Sequence, residues 1–241
     1  VGSEMCIRDR QGRIVADNIV SGNKETYDGT MGTSIAKVFD LTVATAGANA
    51  KLLKREGIAY QSSYTHGASH AGYYPGAVPL SIKILFAPED GRLLGAQVVG
   101  FGGVDKRIEM LAQVIQRKGP VYDLTELEHA YAPPYSAAKD PVNMAGFVAE
   151  NLLTRKAKAI QWREIQNLSP DTVRIDVRTR DEYSLGTIPG FINIPVDELR
   201  EHLAELPKDK LIVVTCAVGL RSYLAYRILT QNGFTNVRNL S

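Results

Sequence analysis

Leu211-Ile-Val-Val-Thr215, Cys216-Ala-Val-Gly-Leu-Arg221 and Ser222-Tyr-Leu-Ala-Tyr-Arg-Ile-Leu229 follow one another near the end of this 241-residue chain. The first is a continuous apolar run of the kind that is buried on both faces of a parallel sheet. The second is a short loop with one glycine. The third reads as an amphipathic helix that opens at Arg221 and is stopped by Gly233. This order aims the loop's backbone N–H groups, the positive end of the helix dipole and the Arg221 guanidinium at one sulfur. All three favour a thiolate over a thiol, so Cys216 is expected to be a nucleophile rather than an inert apolar residue at a strand end.

Working outward, the same rhythm of strand and helix extends upstream. Val173 to Val177, a helix near Asp181 to Leu185, Ile192 to Ile194 and a helix from Val196 to Leu203 complete a βαβ pattern, which implies a small α/β domain with a parallel sheet. Before about Lys156 to Ile160 the pattern differs. Ser34 to Thr45 reads as one strand-like run, and Ala50 to Glu56 as a short helix stopped by Gly57. Ser81 to Phe86 and Leu93 to Gly100 form an antiparallel hairpin around Ala87-Pro-Glu-Asp-Gly91. Val104, Ile108, Leu111 and Ile115 share one helical face, and Asp140-Pro141 caps a last helix to about Arg155, whose Arg155, Lys156 and Lys158 complement its dipole. This half is α+β, an antiparallel sheet with helices. Gln11 to Ile19 is a short helix ended by Ser21-Gly22, and the first ten residues show no helical or strand period and read as a non-native leader.

Composition narrows the function classes. The hydrophobic fraction of 44% is that of a globular protein, and a net charge of +2 without a basic stripe offers nothing to nucleic acid. No run is long enough to span a membrane and no signal peptide is evident, so a cytoplasmic protein is expected. Of the two cysteines, Cys6 falls in the leader, which leaves no disulfide framework and fits a reducing compartment. His66 and His70 have the spacing of a helical metal pair, but Gly67, Gly72 and Pro75 argue for a loop. With no third ligand nearby, no metal is expected, and a substrate-phosphate contact or an ordinary loop role remains.

Ile175-Asp-Val-Arg178 with Glu182-Tyr183, Ile188-Pro-Gly190 with Ile192-Asn-Ile-Pro195, and the Cys216 loop together resemble a rhodanese domain, a sulfurtransferase fold whose cysteine carries a persulfide. The resemblance covers residues 159–241, departs from the family at Thr187, where many members carry histidine, and implies a final helix beyond Ser241, hence a truncated domain. It assigns Ala217, Val218, Gly219, Leu220 and Ser222 to a persulfide-binding loop with Arg221. A cysteine phosphatase loop is one residue longer and suits the peripheral oxygens of a phosphate, whereas this tighter ring suits a sulfur anion. Asp176 and Arg178, at the carboxyl end of their strand, are either substrate contacts or a structural ion pair.

Gln11-Gly-Arg-Ile14, Gly32-Thr-Ser-Ile35, Ser69-His-Ala-Gly-Tyr-Tyr-Pro-Gly76, Gly103-Val-Asp-Lys-Arg107, Tyr131-Ala-Pro-Pro-Tyr-Ser136 and Lys139-Asp-Pro-Val-Asn143 resemble the coenzyme A-disulfide reductases, in the form fused to a rhodanese domain that reduces persulfides, polysulfides or coenzyme A disulfide. The resemblance makes residues 11–30 the tail of a flavin-binding domain and residues 31–157 a dimerisation domain. It implies a homodimer, FAD and NAD(P)H as cofactors bound by domains upstream, coenzyme A as a substrate moiety, and Tyr73 and Tyr131 as catalytic tyrosines that reach over the partner's flavin and redox cysteine. A phenol can hydrogen-bond or protonate a thiolate released when a disulfide or persulfide is split. Gly100-Phe-Gly-Gly-Val-Asp105 is the one near match to a dinucleotide fingerprint, but it follows a hairpin strand and is read as a plain strand-to-helix connection. Two further readings stay open: a sulfurtransferase with an added dimerisation domain, and a non-enzymatic dimerisation and sulfur-carrier module.

Overall fold

The computed structural model describes residues 2–241, with side chains from residue 7 onward. The chain divides into two compact units, one ending at Ala149 and one running Glu150–Ser241.

The first unit begins with helix α1 (Gly2–Ser21), whose described side chains are mostly exposed. The helix expected from Gln11 to Ile19 thus extends back over residues 2–10, which show no helical period in the sequence, and Val1 lies outside the described residues. Arg8, Arg10, Gln11, Arg13 and Ala16 are good helix formers, so a helix arises there without an apolar face to reveal it. The sheet follows: β1 (Ser34–Val38), β2 (Leu41–Gly47), β3 (Gln61–Ala68), β4 (Pro79–Phe86) and β5 (Leu93–Gly100), antiparallel throughout in the order β1-β2-β5-β4-β3. The expected single strand from Ser34 to Thr45 is in fact the β1–β2 hairpin, turned at Phe39 and Asp40. Phe39 takes a left-handed φ of 53°, a conformation that no residue propensity announces for phenylalanine.

On β4, Leu80, Ile82 and Ile84 are buried while Ser81 and Lys83 alternate toward the other face. Helix α2 (Ala50–Arg55) is capped by the Asn49 side chain, and α3 (Val104–Gln116) lays Val104, Ile108 and Leu111 on β2 and β5. The short α4 (Tyr122–Thr125) and α5 (Pro141–Leu153) follow, with Pro141 at the first helical position as expected.

The second unit is a sheet of β6 (Ala159–Ile160), β7 (Val173–Asp176), β8 (Ile192–Asn193), β9 (Ile212–Thr215) and β10 (Val237–Leu240), parallel throughout in the order β6-β10-β9-β7-β8. The central β9 is buried along its whole length, as its uninterrupted apolar sequence requires. Helices α6 (Arg180–Ser184) and α7 (Leu220–Gln231) complete the frame. Ile175, Ile212 and Val214 pack with Leu229 and Phe234 on one face, and Val213 with Phe191 and Ile160 on the other.

The helix expected from Val196 to Leu203 is instead a run of turns closed by a 3-10 turn at Leu203–Glu205. Its backbone bonds span three residues, as in Glu201 N–H to Glu198 O and His202 N–H to Leu199 O, while Leu199 still reaches the core. Among the described residues, no helix is long and apolar enough to cross a membrane.

Candidate functional site

β9 delivers Thr215 to the sheet's carboxyl edge, and Cys216 is the next residue. Gly219 adopts a left-handed φ of 97°, which folds the loop back so that α7 starts at Leu220, one residue before the expected Arg221. The Gly219 N–H donates to Cys216 Sγ at 3.1 Å. Ser222 Oγ lies 3.4 Å from the same sulfur and 3.1 Å from the Gly219 carbonyl, so its single proton serves one acceptor at a time. Burial pushes the Cys216 thiol up. The Ser222 hydroxyl and the backbone N–H groups of Ser222, Val218 and Gly219 outweigh that and hold it below the ordinary cysteine value.

Arg221 departs from expectation. Its guanidinium forms a two-pronged ion pair with Glu182, Nη1 to Oε2 at 2.6 Å and Nη2 to Oε1 at 2.7 Å, and makes no hydrogen bond to the sulfur. A carboxylate matches the planar fork of arginine better than a single sulfur does. The pair, with backbone and hydroxyl bonds from Thr179, lowers the Glu182 pKa to about 2. Glu182 also closes the capping box that starts α6, accepting from the Thr179 N–H at 3.1 Å. The Thr-x-x-Glu spacing from Thr179 to Glu182 signals the cap. It does not signal the partner 39 residues on.

Asp176 and Arg178 are brought together. Asp176, 1% exposed, accepts from Arg178 Nη2 at 2.6 Å and Nε at 3.0 Å, and Arg178 also donates to the Gly186 carbonyl at 2.7 Å. Thr187 Oγ1 donates to Asp176 Oδ2 at 2.9 Å, so the residue at the family's histidine position braces this carboxylate. Burial raises the Asp176 pKa, but Arg178 and Thr187 together carry it below its ordinary range. Asp176, Arg178, Glu182, Arg221 and the Cys216 thiolate thus form a charge series of alternating sign, each felt by its neighbours.

In the first unit, Tyr73 and Tyr131 meet with their hydroxyls 2.9 Å apart. Hydrogen bonding to Tyr73 raises the Tyr131 pKa above the usual phenol value. His66 is not in a loop: it lies on β3, exposed, with Nδ1 2.8 Å from Ser81 Oγ. His70 does lie in the loop after β3, its Nδ1 3.2 Å from the Ala71 carbonyl and its ring edge-on to Tyr74. Among the described residues, no three side chains cluster as metal ligands.

Gly100 to Asp105 connect antiparallel β5 to α3 without a parallel βαβ unit, and the left-handed turn at Gly103 is crowded by the Arg107 guanidinium, which donates to the Gly103 carbonyl. A pyrophosphate has no cradle in this turn, so residues 100–105 do not fit a dinucleotide.

Residues 33–141 match the pyridine nucleotide-disulphide oxidoreductase dimerisation domain, and residues 161–241 match the rhodanese-like domain. Coenzyme A disulfide reductase of Staphylococcus epidermidis is 38% identical over 141 residues, 58% of this chain and 32% of that protein. The solved structure of reduced Bacillus anthracis CoADR-RHD aligns over 96% of this chain and 42% of its own, at 48% identity and a TM-score of 0.91. An NAD-dependent persulfide reductase from A. fulgidus aligns over the same shares at 40% identity and a TM-score of 0.85. The chain spans about a third of the length of the curated relatives it matches.

Proposed function

We propose a function from the premise that this chain belongs to the pyridine nucleotide-disulphide oxidoreductase family, in the form that also carries a rhodanese-like domain. The chain supplies the dimerisation and sulfur-handling parts of a homodimeric reductase that splits sulfur–sulfur bonds of small thiol-derived substrates. The named relatives favour coenzyme A disulfide or a persulfide as that substrate. The observation that carries the reading is the Cys216 loop, in which backbone amides and one hydroxyl converge on a sulfur held toward its thiolate form.

A thiolate at Cys216 attacks the terminal sulfur of a persulfide R–S–SH. A bond forms between Sγ and that sulfur, the original sulfur–sulfur bond breaks, and its electron pair leaves on R–S⁻. The outer S–H of the new persulfide gives its proton to the departing R–S⁻, and the persulfide anion left on Cys216 then meets the N–H groups of Val218, Gly219 and Ser222 and the Ser222 hydroxyl, while Arg221, tied to Glu182, contributes field rather than a bond. NAD(P)H and FAD, bound by other parts of the protein, would supply the reducing equivalents, and Cys216 would hold or deliver the sulfane sulfur. In the first unit, Tyr131 and Tyr73 would donate to the thiolate released when a disulfide or persulfide is split at the upstream redox cysteine, a step separate from that at Cys216.

Replacing Cys216 by Ala in the complete protein tests the assignment. Persulfide turnover is expected to fall at least about 100-fold, as loss of an activated nucleophile demands. Unchanged turnover sinks the role of Cys216.

A further inference from the structure

Tyr73 and Tyr131 sit on two irregular loops, residues 69–78 and 126–140, and both side chains are exposed. Exposed tyrosines on separate loops have no intrinsic reason to meet, and lost side-chain freedom opposes it. Beneath the loops lies the ion pair of Arg107 and Asp140, 1% and 0% exposed, with Nη2 to Oδ2 at 2.7 Å and Nε to Oδ1 at 3.3 Å. Arg107 Nη2 also donates to the Ser69 carbonyl at 2.7 Å, at the start of the Tyr73 loop. Asp140 Oδ2 accepts from Ser136 Oγ at 2.7 Å, at the far side of the Tyr131 turn. Ser136 in turn accepts from the Ala71 N–H at 3.0 Å, which joins the loops directly. Asn143 finishes the clamp: its Nδ2 donates to the Leu124 and Leu127 carbonyls and its Oδ1 accepts from the Asp140 N–H.

A buried ion pair is a poor source of net stability, since apolar residues of like volume do as well or better. What this one has that an apolar pair lacks is direction, because each charged group also hydrogen-bonds the base of one tyrosine loop, Arg107 at Ser69 and Asp140 at Ser136. We propose that Arg107 and Asp140 are positioning residues that hold the Tyr73 and Tyr131 loops in register, so that the two hydroxyls meet. The role as a determinant of the reaction rests on the reading of these tyrosines given above. The role as a clamp does not.

The test separates the two. Arg107→Lys keeps the charge and loses the fork, and Ser136→Ala removes one bond to Asp140 while leaving the ion pair intact. Ultraviolet difference titration of each variant against its Tyr131→Phe counterpart isolates the ionisation of Tyr131. With the fold intact by circular dichroism, Tyr131 is expected to titrate closer to the ordinary tyrosine range in both variants. In the complete protein, turnover is expected to fall about tenfold at unchanged KM, with Arg107→Lys adding little on top of Tyr131→Phe. If Arg107→Lys fails to fold, Ser136→Ala decides. Folded variants that leave the Tyr131 titration unmoved overturn the clamp. A moved titration with unmoved turnover keeps the clamp and overturns the tyrosines' part in the reaction.

Discussion

The hydroxyls of Tyr73 and Tyr131 stand 2.9 Å apart although 58 residues separate them in the chain. In such a pair one phenol donates and the other accepts, so the accepting hydroxyl keeps its own proton free for a third partner. Tyr131→Phe removes that arrangement with little change in volume. In the complete protein it is expected to lower turnover about 100-fold, the usual scale for a lost proton donor, and to leave KM near its starting value. Steady-state kinetics on a persulfide or disulfide substrate is the measurement.

The depressed Cys216 pKa makes a prediction about reactivity. Because the folded protein favours the thiolate, alkylation by iodoacetamide should persist to lower pH than for a free cysteine and decline only below that point. Ser222→Ala deletes the largest of the lowering contributions, so the pH–rate profile should move up toward that of ordinary cysteine. A profile that stays in place would show that the backbone amides alone set the value.

Glu182 gives a charge test of opposite sign. Its carboxylate, with a pKa of about 2, stays ionised through any working pH and offsets the Arg221 field at the sulfur. Glu182→Gln removes that offset and frees the guanidinium, so the Cys216 profile should shift to lower pH, and the shift should shrink as salt is added. A shift upward in pH would mean that Glu182 matters by holding Arg221 in place.

Gly103→Ala addresses the clamp from its backbone side. Gly103 has a φ of 68°, and a Cβ there would run into the Arg107 guanidinium. Left-handed strain plus displacement of a buried ion-pair partner should together cost about 3 kcal/mol or more. Urea denaturation of the first unit's transition measures it. A loss below about 1 kcal/mol would mean that Arg107 has room to move.

Local pattern carries the fold a long way. The apolar run of β9, the β4–β5 hairpin, the one-sided face of α3 and the proline start of α5 could each be read from their own residues, because burial on one or two faces imposes a period on the sequence. So could the loop around Cys216: the elements that turn the chain back onto its sulfur are contiguous with it. What escaped local reading was the start of α1 over residues 2–10, which shows no period; the β1–β2 turn, which forces a left-handed φ on phenylalanine; and the turns at 196–202, where three-residue hydrogen bonds replaced a helix.

The chain by itself thus determined the order of an antiparallel α+β unit and a parallel α/β unit, and the strand–loop–helix run that presents Cys216. Tertiary structure alone decided which charges and hydroxyls meet: Arg221 with Glu182, Thr187 with Asp176, Tyr73 with Tyr131, and Arg107 with Asp140. Those partners come from different elements, and a sequence encodes the propensity of each element but not the geometry that brings their polar ends to within three ångströms of one another.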